Sequence, residues 1–209
     1  MKAKDQFCRG QSARVGLPPD CVIPVIQSFD GDVDASFIEA VSKQDTLSAE
    51  YRYLLVLRLS DKSLFDMIAH DSLCGNMDKI RFIMMDICDC LSSLHAQGRI
   101  HGDIKPLNIM RKADGHMTLI DLDGSVSLND SCGVKPSTVY VPPEMLYQNK
   151  DSSVVMIRRP ESNPLSATVS YDMWSLGVVL YNLCTGQTLW QASVDDNIVN
   201  DRDLNDLFE

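Results

Sequence analysis

Hydrophobic residues recur at helical spacing in two segments of the chain. Between 77 and 97, isoleucine, methionine and leucine side chains lie three or four residues apart, which predicts a helix with one apolar face. Asn76 can cap its start. Residues 171–185 predict a second helix, apolar over most of its circumference and therefore expected to be central. Shorter helices are predicted over 63–70 and from Pro142 onward.

Apolar runs rich in branched and aromatic residues predict the strands. Residues 22–29 and 51–59 predict two strands, of which the second is expected to be largely buried. Two shorter strands are predicted over 108–111 and 118–122, joined by a turn at 113–115. Together with the helices, these strands indicate an α+β chain.

The remaining segments show no clear periodicity. Residues 1–20 show little periodicity of apolar residues and end in a proline-rich turn. Segments 35–50, 123–140 and 148–168 are polar and rich in turn formers, so each is predicted to be a loop.

The composition narrows the classes of function. The chain has 209 residues, 44% of them apolar and 23% charged, which is typical of a globular protein. Its 29 acidic and 19 basic residues disfavour both nucleic acid and anionic membrane as partners. No apolar run approaches the ~18 residues of a membrane span, and no secretory signal is visible, so a cytoplasmic location is expected.

The sharpest candidate chemistry lies in the segment HGDIKPLN, residues 101–108. It supplies the carboxylate of Asp103, the ammonium of Lys105 and the amide oxygen of Asn108, and a second carboxylate follows at Asp121. Two oxygen ligands near a lysine suit Mg²⁺ bound to a polyphosphate, because Mg²⁺ prefers oxygen and shares its shell with substrate phosphates. The remaining carboxylate can orient a hydroxyl nucleophile.

At these residues the sequence resembles the protein kinase family. The catalytic-loop pattern HRDxKxxN of that family has its counterpart at 101–108, and the DFG triplet at 121–123, here Asp-Leu-Asp. The APE motif corresponds to Pro-Pro-Glu at 142–144, and the pattern DxWSLG to 172–177. Four motifs in the family's order form a specific signal, and the lysine and proline after Asp103 look like the serine/threonine branch.

The resemblance implies ATP and Mg²⁺ as cofactors and a serine or threonine hydroxyl of a protein as the substrate. Asp103 would accept or orient the hydroxyl proton, and Lys105 would neutralise the moving phosphoryl group. Asn108 and Asp121 would hold Mg²⁺.

Further residues receive roles from the same resemblance. Leu57 and Leu59 belong to the hinge that contacts the nucleotide, and Met110 corresponds to the residue beneath the adenine. Ser137 matches a threonine that lines the peptide-positioning loop. Asp172 would hold the backbone of the catalytic loop.

The implied architecture is a protein-kinase-like α+β fold, with a mostly helical large lobe and a remnant of the small-lobe β-sheet. Residues 1–60 would form that remnant and the hinge, and 61–209 a large lobe lacking its C-terminal helices. The chain would thus be a kinase domain truncated at both ends. The sequence holds no GxGxxG loop, and Gly102 and Asp123 replace the family's arginine and glycine.

Two functions follow from these residues. The first is a serine/threonine protein kinase, favoured by the joint presence of Asp103, Lys105, Asn108 and Asp121. The second is a catalytically inactive, pseudokinase-like module that binds partners, favoured by the missing glycine loop. The sequence indicates neither the protein substrate nor the oligomeric state.

Overall fold

The computed structural model describes residues 3–43, 52–132, 137–148, 155–157, 165–199 and 202–203. Its helices and strands, in chain order, are α1 (Ala3–Ser12), β1 (Val25–Asp30), α2 (Ala35–Ser42), β2 (Tyr53–Leu57), β3 (Lys62–Ser63), α3 (Leu64–His70), α4 (Met77–Ala96), β4 (Arg99–Ile100), β5 (Ile109–Arg111), β6 (Met117–Leu119), β7 (Val126–Ser127), β8 (Leu146–Gln148), β9 (Val155–Ile157) and α5 (Val169–Thr185).

The two long helices, α4 and α5, pack against each other as the sequence predicts. Ile87 on α4 is 0% exposed and Leu176 on α5 is 4% exposed, and both belong to the main hydrophobic core. The Asn76 side chain accepts a hydrogen bond from the Lys79 backbone N–H at 3.2 Å and so caps α4. The apolar face of α4 consists of Ile80, Ile83, Ile87, Leu91 and Leu94, all of them buried.

Short antiparallel sheets surround the helices and confirm the predicted α+β class. Strands β1 and β2 pair with each other, and β3, β5 and β6 form a three-stranded sheet in that order. Val22 forms a parallel bridge with Leu119, and the Leu119 N–H donates to the Cys21 carbonyl at 3.0 Å. The N-terminal segment is thereby joined to the hairpin that follows the catalytic-loop motif.

Several predicted elements differ in the structure. Helix α1 was not expected, because only Phe7 and Gly10 of its residues are buried and too few apolar positions mark its face. The loop predicted over 35–50 begins with α2, and residues 44–50 lie outside the described part of the chain. The strand predicted to be largely buried, β2, is instead half exposed: Leu54 is 41% and Val56 37% exposed.

The region after the APE-like motif also differs. The helix predicted from Pro142 is a single 3₁₀ turn, Pro143–Met145, which leads directly into β8. The predicted surface loop at 148–168 contains β9, which pairs antiparallel with β8. Much of that segment lies outside the described residues. In the described ranges, no helix combines the length and apolarity needed to cross a bilayer.

Candidate functional site

Helix α5 holds the start of the catalytic-loop segment through one buried carboxylate. Asp172 is fully buried and accepts hydrogen bonds from the backbone N–H groups of His101 at 2.8 Å and Gly102 at 2.9 Å. The Nε2 atom of His95 on α4 lies 2.8 Å from the same carboxylate. Asp172 therefore ties α4, α5 and the loop together, which agrees with the bracing role that the resemblance implies.

Gly102 occupies a position where a side chain would collide. Its φ is +77°, in the left-handed region, and a Cβ atom built there would lie 2.7 Å from the carbonyl oxygen of Gly124. Glycine avoids both the conformational cost and the collision. The absence of the family's arginine at this position thus fits the close approach of the Gly124 backbone.

Asp103 lies at the centre of a polar network. Asn108 Nδ2 donates to the Asp103 carbonyl at 2.8 Å and to its carboxylate at 2.9 Å. The Ser137 hydroxyl donates to the other carboxylate oxygen at 3.2 Å and accepts from Lys105 Nζ at 2.8 Å. Lys105 Nζ is 3.7 Å from Asp103 Oδ2. The structure therefore brings a carboxylate, an amide, an ammonium and a hydroxyl group into direct contact.

Asp196 is a further member of this network that the sequence analysis missed. Its carboxylate lies 3.2 Å from Lys105 Nζ, and both side chains are largely buried. The turn that carries Asp196 is tied to the Ser137 segment, because the Val139 N–H donates to the Asp196 carbonyl at 3.2 Å. No sequence signal connects such a distant acidic residue with Lys105.

Asp121 follows directly after a residue that is hydrogen-bonded to Asn108. The two loops meet where the Ile120 N–H donates to the Asn108 carbonyl at 3.0 Å and the Ile120 carbonyl lies 2.9 Å from His101 Nε2. Asp121 has φ +58° and ψ +60°, a left-handed conformation that is uncommon outside glycine and is frequent at functional sites. Its side chain and that of Asn108 line one open cleft of about 560 Å³.

The cleft lies between α1, β2 and the segment 120–123, and its volume is in the range of about 300–1,000 Å³ typical of ligand sites. Of the residues predicted to contact a nucleotide, Leu57 lines it together with Asn108 and Asp121. Leu59 is 94% exposed and does not line the cleft. Met110, paired with Ser63 between β3 and β5, also lies outside the lining.

Two arginines, neither singled out in the sequence, line the same cleft. Burial lowers the pKa of the Arg14 guanidinium, while the carboxylates of Asp121 and Asp123 act in the opposite direction. Arg52 Nη2 donates to the Gly31 carbonyl at 3.3 Å. The cleft therefore combines anionic groups on one wall with cationic groups on another, the charge pattern that a metal-bound polyphosphate needs.

Comparison of the sequence with known proteins points to one family. Residues 35–208 match the protein kinase domain family. The chain is 29% identical to the 3-phosphoinositide-dependent protein kinase 1 of Arabidopsis thaliana over 157 residues, which cover 68% of this chain and 28% of that protein. It is 30% identical to the serine/threonine-protein kinase CHK1 of Saccharomyces cerevisiae over 176 residues, 76% of this chain and 30% of the relative.

A third similar protein is the Rho-associated protein kinase let-502 of Caenorhabditis briggsae, 33% identical over 130 residues, which cover 57% of this chain and 10% of that protein. The chain thus spans less than a third of the length of each of these three relatives.

Proposed function

Because this chain belongs to the protein kinase family, we propose that it forms the phosphotransfer part of a serine/threonine protein kinase. The reaction is transfer of the γ-phosphate of ATP to a serine or threonine hydroxyl of a protein. On this proposal, residues 1–60 are the small-lobe part with the hinge and 61–209 are the large lobe. The observation that carries the proposal is the contact of Asp103 with Asn108, Lys105 and Ser137.

On this proposal, Asp103 orients the incoming hydroxyl group and accepts its proton. Asp103 is 7% exposed, and its carboxylate is held by Asn108 and Ser137, so little reorganisation is needed when a substrate approaches. Lys105 Nζ lies beside this carboxylate and can neutralise charge on the transferred phosphoryl group. The Ser137 hydroxyl is hydrogen-bonded to both Asp103 and Lys105 and so fixes their relative position.

Asn108 and Asp121 are the residues that would hold Mg²⁺. The Asn108 Nδ2 group donates twice to Asp103, which leaves the amide oxygen for a cation on the cleft side. Among the described residues, no group of three histidine, cysteine, aspartate or glutamate side chains could hold a metal ion. A magnesium ion at this site would therefore complete its shell with phosphate oxygens, and it would neutralise phosphate charge during transfer.

The adenine end of ATP would lie along β2 and the residues that follow it. Leu57 lines the cleft and would contact the base, whereas Leu59 and Met110, expected beside the base from the resemblance, lie outside its lining. The apolar part of the cleft beside Leu55 and Leu57 suits a planar heterocycle.

A radiometric assay tests the proposed reaction. The chain is incubated with γ-labelled ATP and a serine/threonine peptide mixture, with Mg²⁺ or with EDTA. We expect Mg²⁺-dependent incorporation that falls about 100-fold or more in Asp103→Asn, because the proton acceptor is lost. Asp78→Asn, at the exposed start of α4, is the matched control and should leave the rate unchanged. Equal rates for the Asp103 and Asp78 variants would contradict the proposal.

The second candidate is a catalytically inactive module that binds partners. It is favoured by the ion pair between Lys105 and Asp196, which already engages the ammonium group that a phosphoryl group would need. This candidate predicts a folded chain whose melting temperature does not rise with Mg·ATP and which transfers no phosphate in the same assay.

A further inference from the structure

The chain folds back on itself over residues 191–199. Ala192 and Ile198 form an antiparallel bridge, and both pack against the main hydrophobic core. Asp196 lies in the turn that joins the two arms, and Val194 in the same turn is 99% exposed. This 191–199 hairpin therefore has an anchored base and an exposed tip.

Asp196 reaches from this tip to the ammonium group of Lys105. The Asp196 carboxylate lies 3.2 Å from Lys105 Nζ. The Ser137 hydroxyl lies 2.8 Å from the same nitrogen, and Asp103 Oδ2 lies 3.7 Å from it. An ammonium group has three hydrogens to donate, and three oxygen-bearing side chains already surround this one. Because the Lys105 side chain is only 17% exposed, a phosphoryl group can reach it only where one of these acceptors leaves.

Of the three acceptors, Asp196 is the one that can leave. Asp103 and Ser137 are 7% and 4% exposed and are hydrogen-bonded to each other at 3.2 Å, so both belong to the fixed part of the site. Asp196 has φ +58°, a conformation that few residues other than glycine adopt. A segment with exposed residues and a sparsely populated backbone conformation opens at a lower cost in free energy than a buried network does.

We infer that Asp196 is an internal inhibitor of this site, because its carboxylate occupies the place beside Lys105 that the γ-phosphate of ATP would take. The inference rests on the proposed function and adds its regulation. A carboxylate and a phosphate at one ammonium group repel each other, so the tip of the 191–199 hairpin must move aside before the γ-phosphate binds there. The ion pair is then the closed state of the site, and a ligand that binds only when the tip is displaced shifts the chain to an open state.

Nucleotide binding by the full 209-residue chain tests the inference. Isothermal titration calorimetry compares the non-hydrolysable imido analogue of ATP with ADP, each in the presence of Mg²⁺. We expect Asp196→Asn to bind the ATP analogue about 5-fold or more tightly than the original chain, because no internal carboxylate then competes for Lys105. ADP has no γ-phosphate, so its affinity should change less than about 2-fold. Asp195→Asn removes the same charge from the exposed neighbouring position and should leave both affinities unchanged.

The outcomes separate this inference from the proposed function. If Asp103→Asn abolishes phosphate transfer while Asp196→Asn binds the ATP analogue no more tightly than the original chain, the Asp196 inference is wrong and the proposed function stands. Equal tightening by Asp195→Asn and Asp196→Asn would show a general effect of charge, which would also overturn the inference. If neither the original chain nor Asp196→Asn binds a nucleotide or transfers phosphate, both the inference and the proposed function are wrong.

The rate of phosphate transfer gives a second readout. Below saturating ATP, Asp196→Asn should transfer phosphate faster than the original chain, whereas a merely structural role of Asp196 predicts a slower reaction. ADP binding by this variant shows that its cleft is intact. Should Asp196→Asn fail to fold, Asp196→Gly removes the carboxylate and tolerates the positive φ. Unchanged binding of the ATP analogue by Asp196→Gly would then overturn the inference.

Discussion

The ammonium group of Lys105 lies 3.2 Å from the carboxylate of Asp196, so the turn at 193–197 contacts the catalytic-loop segment directly. Two hydrogen bonds hold this turn against residues 138 and 139. The Ile198 N–H donates to the Thr138 hydroxyl at 2.7 Å, and the Val139 N–H donates to the Asp196 carbonyl at 3.2 Å. Asp196 itself has φ +58°, a conformation that aspartate and asparagine adopt more readily than most residues. The C-terminal turn is therefore part of the site.

Replacement of Asp196 by asparagine should destabilise the fold by about 1–2 kcal/mol, because a charge-assisted contact between two largely buried groups becomes a neutral one. Asparagine retains the tolerance for a positive φ, so the backbone should stay in place. Urea denaturation measures the change. Asp195→Asn, the exposed neighbouring residue, is the control and should cost less than about 0.5 kcal/mol. Equal effects of the two substitutions would show that the ion pair contributes nothing.

Asp172→Asn should lower the free energy of unfolding further, by about 3 kcal/mol or more, because two buried backbone donors lose a charged acceptor. The carboxylate accepts from two backbone N–H groups, and the amide can offer only one oxygen to them. The thermal midpoint should fall accordingly. Asp130→Asn, on an exposed turn, serves as the comparison, and a midpoint for Asp172→Asn no lower than for this control would contradict the bracing role.

Gly102→Ala should destabilise the chain more than Gly115→Ala. Both glycines have positive φ, so each alanine pays a conformational cost of about 1–2 kcal/mol. At Gly115 the added Cβ meets no atom within 4 Å, whereas at Gly102 it lies 2.7 Å from the Gly124 carbonyl oxygen. The difference between the two free energies of unfolding isolates the collision. A difference near zero would show that the Gly124 backbone moves aside freely.

Ile87→Ala tests the burial of α4 in the main hydrophobic core. Ile87 is fully buried, so we expect the free energy of unfolding to fall by about 2–5 kcal/mol. The loss comes from the removed apolar contacts and from the cavity that remains. Met85 lies on the exposed side of the same helix, and Met85→Ala should cost less than about 1 kcal/mol. Chemical denaturation of both variants provides the measurement. Similar losses at the two positions would contradict the placement of the Ile87 face of α4 in the core.

Features that depend only on residues close together in the chain could be predicted from the sequence. The 3.6-residue spacing of apolar positions determined α4 and its buried face, and the predicted cap Asn76 lies within one turn of the residue it caps. The motif spacing likewise placed Asp103, Lys105 and Asn108 on one short loop, because residues so close in sequence cannot lie far apart. Together with the motifs at 121–123, 142–144 and 172–177, these residues predicted the protein kinase family, and the family match confirms it.

Features that depend on distant residues were decided by the tertiary structure. Helix α1 has too few buried residues to show a periodicity, and its position follows from contacts with β2 and the segment 122–124. The approach of Gly124 to Gly102, the ion pair of Asp196 with Lys105 and the place of Arg14 in the cleft each join residues far apart in the chain. Such contacts arise only when the elements pack, because each side chain contributes no pattern of its own to the sequence around it.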